Sequence, residues 1–142
     1  MHASDFSPAS RAAFERALIS LATLDRAELT VVHVLTPVMP IAGKGPISPK
    51  TWEEIEASTR AAGQKGLNAL LAKAKRAGVR VRGFLLEGIA HEQIVRAARR
   101  QRADVLVMGT HGRTGLRRFF LGSVTARVVA TSPCPVLTVR GR

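Results

Sequence analysis

Strands alternating with helices along the chain predict a three-layer α/β fold built on a parallel sheet with right-handed crossovers. Three observations carry this reading. Glu28 to Leu35 (ELTVVHVL) is β-branched and nearly all apolar, the composition of a strand covered on both faces. Asp104 to Met108 (DVLVM) is a second such run, leading into glycines at 109 and 112. Around these runs, apolar residues recur at helical spacing.

Ser7-Pro8 is a helix start, because serine is a good N-cap and proline is tolerated at the first helical position. Phe14, Ala17, Leu18 and Leu21 then form one apolar face. Thr36 to Lys50, rich in proline and glycine, reads as a long loop. Trp52 to Ala77 is helical, weakened by Gly63 and Gly66 and closed by Gly78. Val79 to Leu86 alternates Val79 and Val81 with Arg80 and Arg82, which suits a strand at the edge of a sheet. His91 to Arg100 is a short helix with Ile94, Val95 and Ala98 inward and three arginines outward. Ser123 to Ala130 is the last helix and Pro135 to Arg140 the last strand.

The chain's 142 residues fit one domain, residues 1–142, with no internal repeat. No apolar run approaches the ~20 residues needed to span a bilayer, and no membrane association is expected. The start, MHASDFSPAS, lacks the charged head and apolar centre of a secretory signal. Cys134 is the single cysteine, which rules out an intramolecular disulfide and fits a reducing compartment, so the expected location is the cytoplasm. No Cys/His cluster has metal-ligand spacing, and no metal site is expected. The formal charge is +12, with 17 arginines among the 22 basic residues. Such a balance attracts anions. Yet only five Phe, one Trp and no Tyr are present to stack on bases, so nucleic acid is not the expected partner.

The chemistry concentrates in Met108 to Arg127 (MGTHGRTGLRRFFLGSVTAR), which leaves the carboxyl end of a buried strand. Ligands of open parallel sheets bind there, beyond the strand ends. Gly109, Gly112 and Gly115 let backbone N–H groups turn toward a ligand. Gly122-Ser123 opens a helix whose first N–H groups carry partial positive charge. A phosphate between them would meet donors from both sides, with Arg113 adding a charged one. The segment is neither a P-loop nor a dinucleotide-binding GxGxxG turn.

Gly109-xx-Gly112, nine residues and Gly122-Ser123 together resemble the nucleotide-binding signature of the ATP-binding universal stress proteins. DFSPAS at 5–10, VVHV at 31–34, ADVLVMGTHGRTGL at 103–116 and CPVLTV at 134–139 resemble the family in the same order and span nearly the whole chain. The resemblance implies an open five-stranded parallel sheet of order 3-2-1-4-5, with ATP and Mg²⁺ across its carboxyl edge. Asp5 would then hold the adenine or ribose end, and Val34 would touch adenine. Met108, Gly109, Gly112 and Arg113 would line the ribose and phosphate side. His111, by its place inside the motif, is a further candidate contact to phosphate or ribose; the alternative is that its ring packs beside the turn. Gly122, Ser123, Val124 and Thr125 would hold the phosphates.

One departure stands out. The family's first strand is an apolar run ending in the aspartate, and only MHAS precedes Asp5 here. The first strand therefore reads as truncated, and the reading frame is expected to extend upstream with apolar residues. Without that strand, two rows of backbone groups would go unpaired, at roughly 1–3 kcal/mol for each group.

His33 reads as a core histidine, Cys134 as a small buried hydrophobe and Phe119-Phe120 as core packing. Ser123 lacks a neighbouring base in the motif and reads as a helix cap rather than a nucleophile. The function expected is an ATP-binding stress-response module, not an enzyme. The alternatives are a slow ATPase or a basic protein on nucleic acid. Pro135 to Arg140, an edge strand without a charge before Arg140, is expected to pair two copies into a homodimer, as the resemblance also implies.

Overall fold

The computed structural model describes residues 1–24, 26–37, 48–110 and 121–141. Along them run β1 (His2–Ala3), α1 (Pro8–Ala22), β2 (Glu28–Leu35), α2 (Pro49–Arg76), β3 (Arg80–Glu87), α3 (Ala90–Arg100), β4 (Leu106–Gly109), α4 (Ser123–Thr131) and β5 (Val136–Val139). Every strand pair is parallel and the sheet order is β3-β2-β1-β4-β5, as expected.

The first strand is short but it is not lost, which corrects the expectation of unpaired rows at the sheet centre. His2 and Ala3 stand beside Val31 and Val32 of β2 on one edge and beside Val107 and Met108 of β4 on the other. The flanking residues extend the pairing. The Met1 nitrogen donates to the Val105 carbonyl at 2.7 Å, Val107 N–H to the Met1 carbonyl at 2.8 Å and Ser4 N–H to the Val32 carbonyl at 2.9 Å. β4 is itself only four residues long, so a short strand matches it, whereas β2, with eight, runs past β1 at both ends.

Period-two alternation sorts the strand side chains between two cores. Ala3, Val32, Leu106 and Met108 face α3 and α4, where Ile94, Val95, Ala98 and Val128 close over them. Leu29, Val31 and Val107 face α1 and α2, against Phe14, Ala17, Leu18 and Leu67. Phe14 is fully buried; a side chain of that size contributes roughly 1.5–3 kcal/mol by leaving water. At the β3 edge the alternating arginines are exposed, and Arg82 pairs with Glu28 of β2.

The helices begin and end as their sequences require. Ser7 caps α1 by accepting the Ser10 N–H at 3.2 Å, with Pro8 following. Ser48 caps α2 in the same way from Thr51. Gly78 closes α2 at φ +75°, a left-handed conformation that a Cβ would oppose. Gly63 and Gly66 do not interrupt α2. A Cβ on Gly63 would meet Leu35, His33 and Leu85, and one on Gly66 would meet the Phe6 ring. The two glycines bring the helix close to the sheet, and that packing overrides their poor helix propensity. Among the described residues no helix is long and apolar enough to cross a membrane. Cys134 is half-buried against the α3/α4 core, less enclosed than its sequence reading. The Phe119-Phe120 pair lies outside the described residues.

Two close contacts generate predictions. His2 is fully buried, its Nδ1–H donating to the Val107 carbonyl at 3.0 Å and its ring 5.5 Å from that of Phe14. Nε2 has no partner among the described residues. Burial penalises the charged imidazole and pushes its pKa down to about 4 from 6.5. The unfolded chain then binds the proton first as pH falls, so this contribution to stability is whole above about pH 6.5 and lost progressively toward pH 4. Chemical denaturation at pH 7 and pH 5 is expected to show a larger loss for the wild type than for His2→Asn, by about 2 kcal/mol. Gly109 gives the second. A Cβ there would lie 2.8 Å from backbone atoms of Ala9 and Ser10 in the first turn of α1. Backbone cannot swing aside, so Gly109→Ala is expected to lower stability by about 1–3 kcal/mol in the same assay.

Candidate functional site

The strand order reverses at β1: the chain builds outward through β2 and β3, then returns to build β4 and β5 on the other side. Crossovers leave this point in opposite directions, and a cleft opens beyond the carboxyl ends of the strands. Its volume is about 420 Å³, within the range of small-ligand pockets. The end of β1 contributes Ala3 to Asp5, β2 contributes Val32 to Val34 and the following Thr36, and β4 contributes Met108 and Gly109. Ala90 and Ile94 of α3 and the start of α4, Gly122 to Thr125, complete the lining, with Ser10 of α1.

The walls differ in chemistry. Val32, Val34, Met108 and Ile94 make an apolar side suited to a flat ring. The N-terminus of α4 adds a different chemistry, since its N-cap is Gly122 and makes no side-chain hydrogen bond. A helix start leaves its first N–H groups pointing outward with partial positive charge, which favours an anion. Two bonds fix that helix start against β4. Gly122 N–H donates to the Thr110 carbonyl at 2.8 Å, and the buried Thr125 hydroxyl donates to the Gly109 carbonyl at 3.0 Å.

Asp5 is half-buried at the tip of β1. Its Oδ1 accepts the Ser7 N–H at 3.0 Å, locking a turn that aims the carboxylate from a fixed base. Phe6 sits at φ +63°, a conformation that costs a bulky residue roughly 1–3 kcal/mol and persists only where the surroundings impose it.

Of the residues expected at the site, the structure brings together Asp5, Val34, Met108, Gly109, Gly122, Ser123, Val124 and Thr125 around one cleft. His111, Gly112 and Arg113 lie outside the described residues. Two members do more than line it: Gly109 makes room for α1, and the Thr125 hydroxyl is engaged with backbone. Sequence reasoning missed Ala3, Ser4, Ser10, Val32, His33, Thr36, Ala90 and Ile94. Position relative to a strand end could have flagged Ser4 and Thr36, since each follows a strand directly. His33 combines two roles: it is buried, as its sequence reading holds, and it also lines the cleft. Among the described residues, no three His, Cys, Asp or Glu side chains gather as a metal site would need.

Known proteins share this fold. The universal stress protein MJ0531 of Methanocaldococcus jannaschii is 36% identical over 124 residues, covering 86% of this chain and 70% of that protein. The solved structure of MJ0577 superposes with a TM-score of 0.82 at 25% identity, over 99% of this chain and 93% of that one. A universal stress protein solved in complex with cAMP superposes at 0.70 and 25% identity, over 99% and 94% of the two chains. The family model of the universal stress proteins matches residues 1–140, and the chain belongs to that family.

Proposed function

We propose that this protein binds ATP in the cleft and acts as a regulatory nucleotide-binding module in the stress response, within the cytoplasm. One observation carries the reading: a single cleft joins an apolar slot, a carboxylate on a fixed turn and an open helix N-terminus. Those parts match a purine ring, a ribose hydroxyl and a phosphate chain in that order. Asp5 accepts from hydroxyl or amino groups, Val34 and Met108 pack on the ring, and Ser123 to Thr125 receive phosphate oxygens. A Mg²⁺ ion would travel with the phosphates, holding mostly water and phosphate oxygens as it does in other nucleotide sites. The family relative in complex with cAMP supports an adenine ligand in this fold.

Binding rather than turnover is the activity proposed. Among the described residues Asp5 is the carboxylate that lines the cleft, and its bond from the Ser7 N–H holds it in the turn beyond β1. The donors gathered at α4 hold charge that is already present. ATP with Mg²⁺ at 100 times its Kd is expected to add about 2.7 kcal/mol of stability and raise Tm, whereas NAD at the same concentration is expected to change it little. An unchanged Tm in millimolar ATP would end this reading; release of more than one phosphate per hour would replace it with a slow ATPase.

The same module is proposed to work as a homodimer through β5. This strand is the sheet edge, and Leu137 on it is 44% exposed. The Pro135 carbonyl accepts from Leu106 of β4 at 2.9 Å and the Val139 carbonyl from Thr110, just beyond β4, at 3.0 Å. By alternation, the N–H of Thr138 points away from β4 to the open edge. An antiparallel mate about a twofold axis would pair that row. Thr138→Pro removes an edge donor without touching the β4 ladder, and is expected to convert a dimer to a monomer in sedimentation while ATP still raises Tm.

A further inference from the structure

Phe6 is a bulky residue in the left-handed region at φ +63°, placed between the cleft aspartate and the cap of α1. Glycine could hold that conformation without strain, so neighbours must hold it here. Three do. The Phe6 N–H donates to the Ser4 hydroxyl at 3.2 Å, and that hydroxyl is anchored to Ser10 at 2.8 Å in the first turn of α1. The Phe6 ring lies 4.3 Å from the His33 ring at 37°. From outside, α2 presses on the same ring at Gly66, where even a Cβ would lie 2.6 Å from it. His33 is 8% exposed, and its Nδ1–H donates to the Ser4 carbonyl at 2.7 Å, across 29 residues of sequence. This carbonyl belongs to the peptide that leads into Asp5.

We propose that His33 is a positioning residue for Asp5: its Nδ1–H fixes the Ser4–Asp5 peptide, its ring seats the strained Phe6, and together they aim the carboxylate into the cleft. The inference rests on the nucleotide reading above for its ligand. It makes one side chain of β2 responsible for the direction of a side chain just beyond β1. Ring and donor have separable duties. The donor fixes the peptide plane and hence the Asp5 Cα–Cβ direction. The ring only supports Phe6, which α2 also holds through Gly66.

Substitutions separate them. His33→Asn retains an N–H donor near the place of Nδ1 and discards the ring; His33→Phe retains a ring and discards the donor. In calorimetric titration with Mg-ATP, His33→Phe is expected to bind about tenfold more weakly than wild type, the worth of one buried hydrogen bond, and His33→Asn to stay within about threefold. Amide hydrogen exchange without nucleotide gives a second readout. The Phe6 and Ser7 amides are expected to exchange at least about tenfold faster in His33→Phe, with the Val107 amide unchanged. His33→Leu also discards the donor, in a smaller apolar side chain, and is expected to weaken binding to the same degree; it serves if His33→Phe does not fold. Wild-type affinity in His33→Phe, or in His33→Leu when His33→Phe is unfolded, would overturn the proposal, as would a loss in His33→Asn equal to that of the variant without the donor. If wild type itself binds no Mg-ATP, the nucleotide reading fails. The exchange experiment then decides the positioning alone, and unchanged Phe6 and Ser7 amides would overturn it.

Discussion

Four residues, Met1 to Ser4, join the two halves of the sheet. β2 and β3 lie on one side, β4 and β5 on the other, and β1 makes the backbone bonds that connect them. A strand in that position must satisfy donors and acceptors on both edges, since no water reaches them. Its side chains must also fill both cores, which is why His2 is fully buried against Phe14 while Ala3 packs under α3 and α4. Burying an imidazole carries an electrostatic penalty at low pH. The bond to the Val107 carbonyl offsets part of it and ties the ring to β4.

The strand that joins the sheet also places the site. Asp5 follows it at once, and the chain must turn sharply there to enter α1 two residues later at Ser7-Pro8. So tight a turn needs an unusual backbone, supplied at Phe6 and held by Ser4, His33 and α2. Close approach does the rest. α1 begins hard against Gly109 at the end of β4 and Gly141 beyond β5. The first turn of that helix therefore abuts the strand end whose carbonyl holds Thr125 and, with it, the start of α4. Cleft geometry is thus a consequence of sheet closure, and disturbing β1 would move both ends of the site.

Much of this was legible in the sequence because its signals are local. ELTVVHVL announces a buried strand by composition, Ser7-Pro8 a helix start by cap chemistry and Gly122-Ser123 another helix start, although Gly122 and not Ser123 is the cap. Ser48-Pro49 carries the same cap signal, but the prolines and glycines before it drew Thr36 to Lys50 into a loop reading. What escaped reading depends on distance. Two residues, His2 and Ala3, carry no periodicity, so the central strand looked missing; its existence is decided by partners 29 and 105 residues away. Gly63 and Gly66 looked like weak points because propensity is local, whereas their reason is the Phe6 and His33 rings beneath them. His33 could be read as buried, but its place in the cleft follows from the turn at Ser4 that only the fold reveals. Ala90 and Ile94 enter the site from a helix with no motif at all.

The central claim is that one cleft at the strand reversal receives an adenine nucleotide lengthwise, ring toward β2 and phosphates toward α4. Amide NMR shifts followed during titration with Mg-ATP test it residue by residue. The account predicts saturable shifts at Asp5, Val34, Gly109 and Ser123 to Thr125, with Leu24 at the far end of α1 unmoved. Saturable shifts confined to other surfaces, or none at millimolar nucleotide, would contradict it.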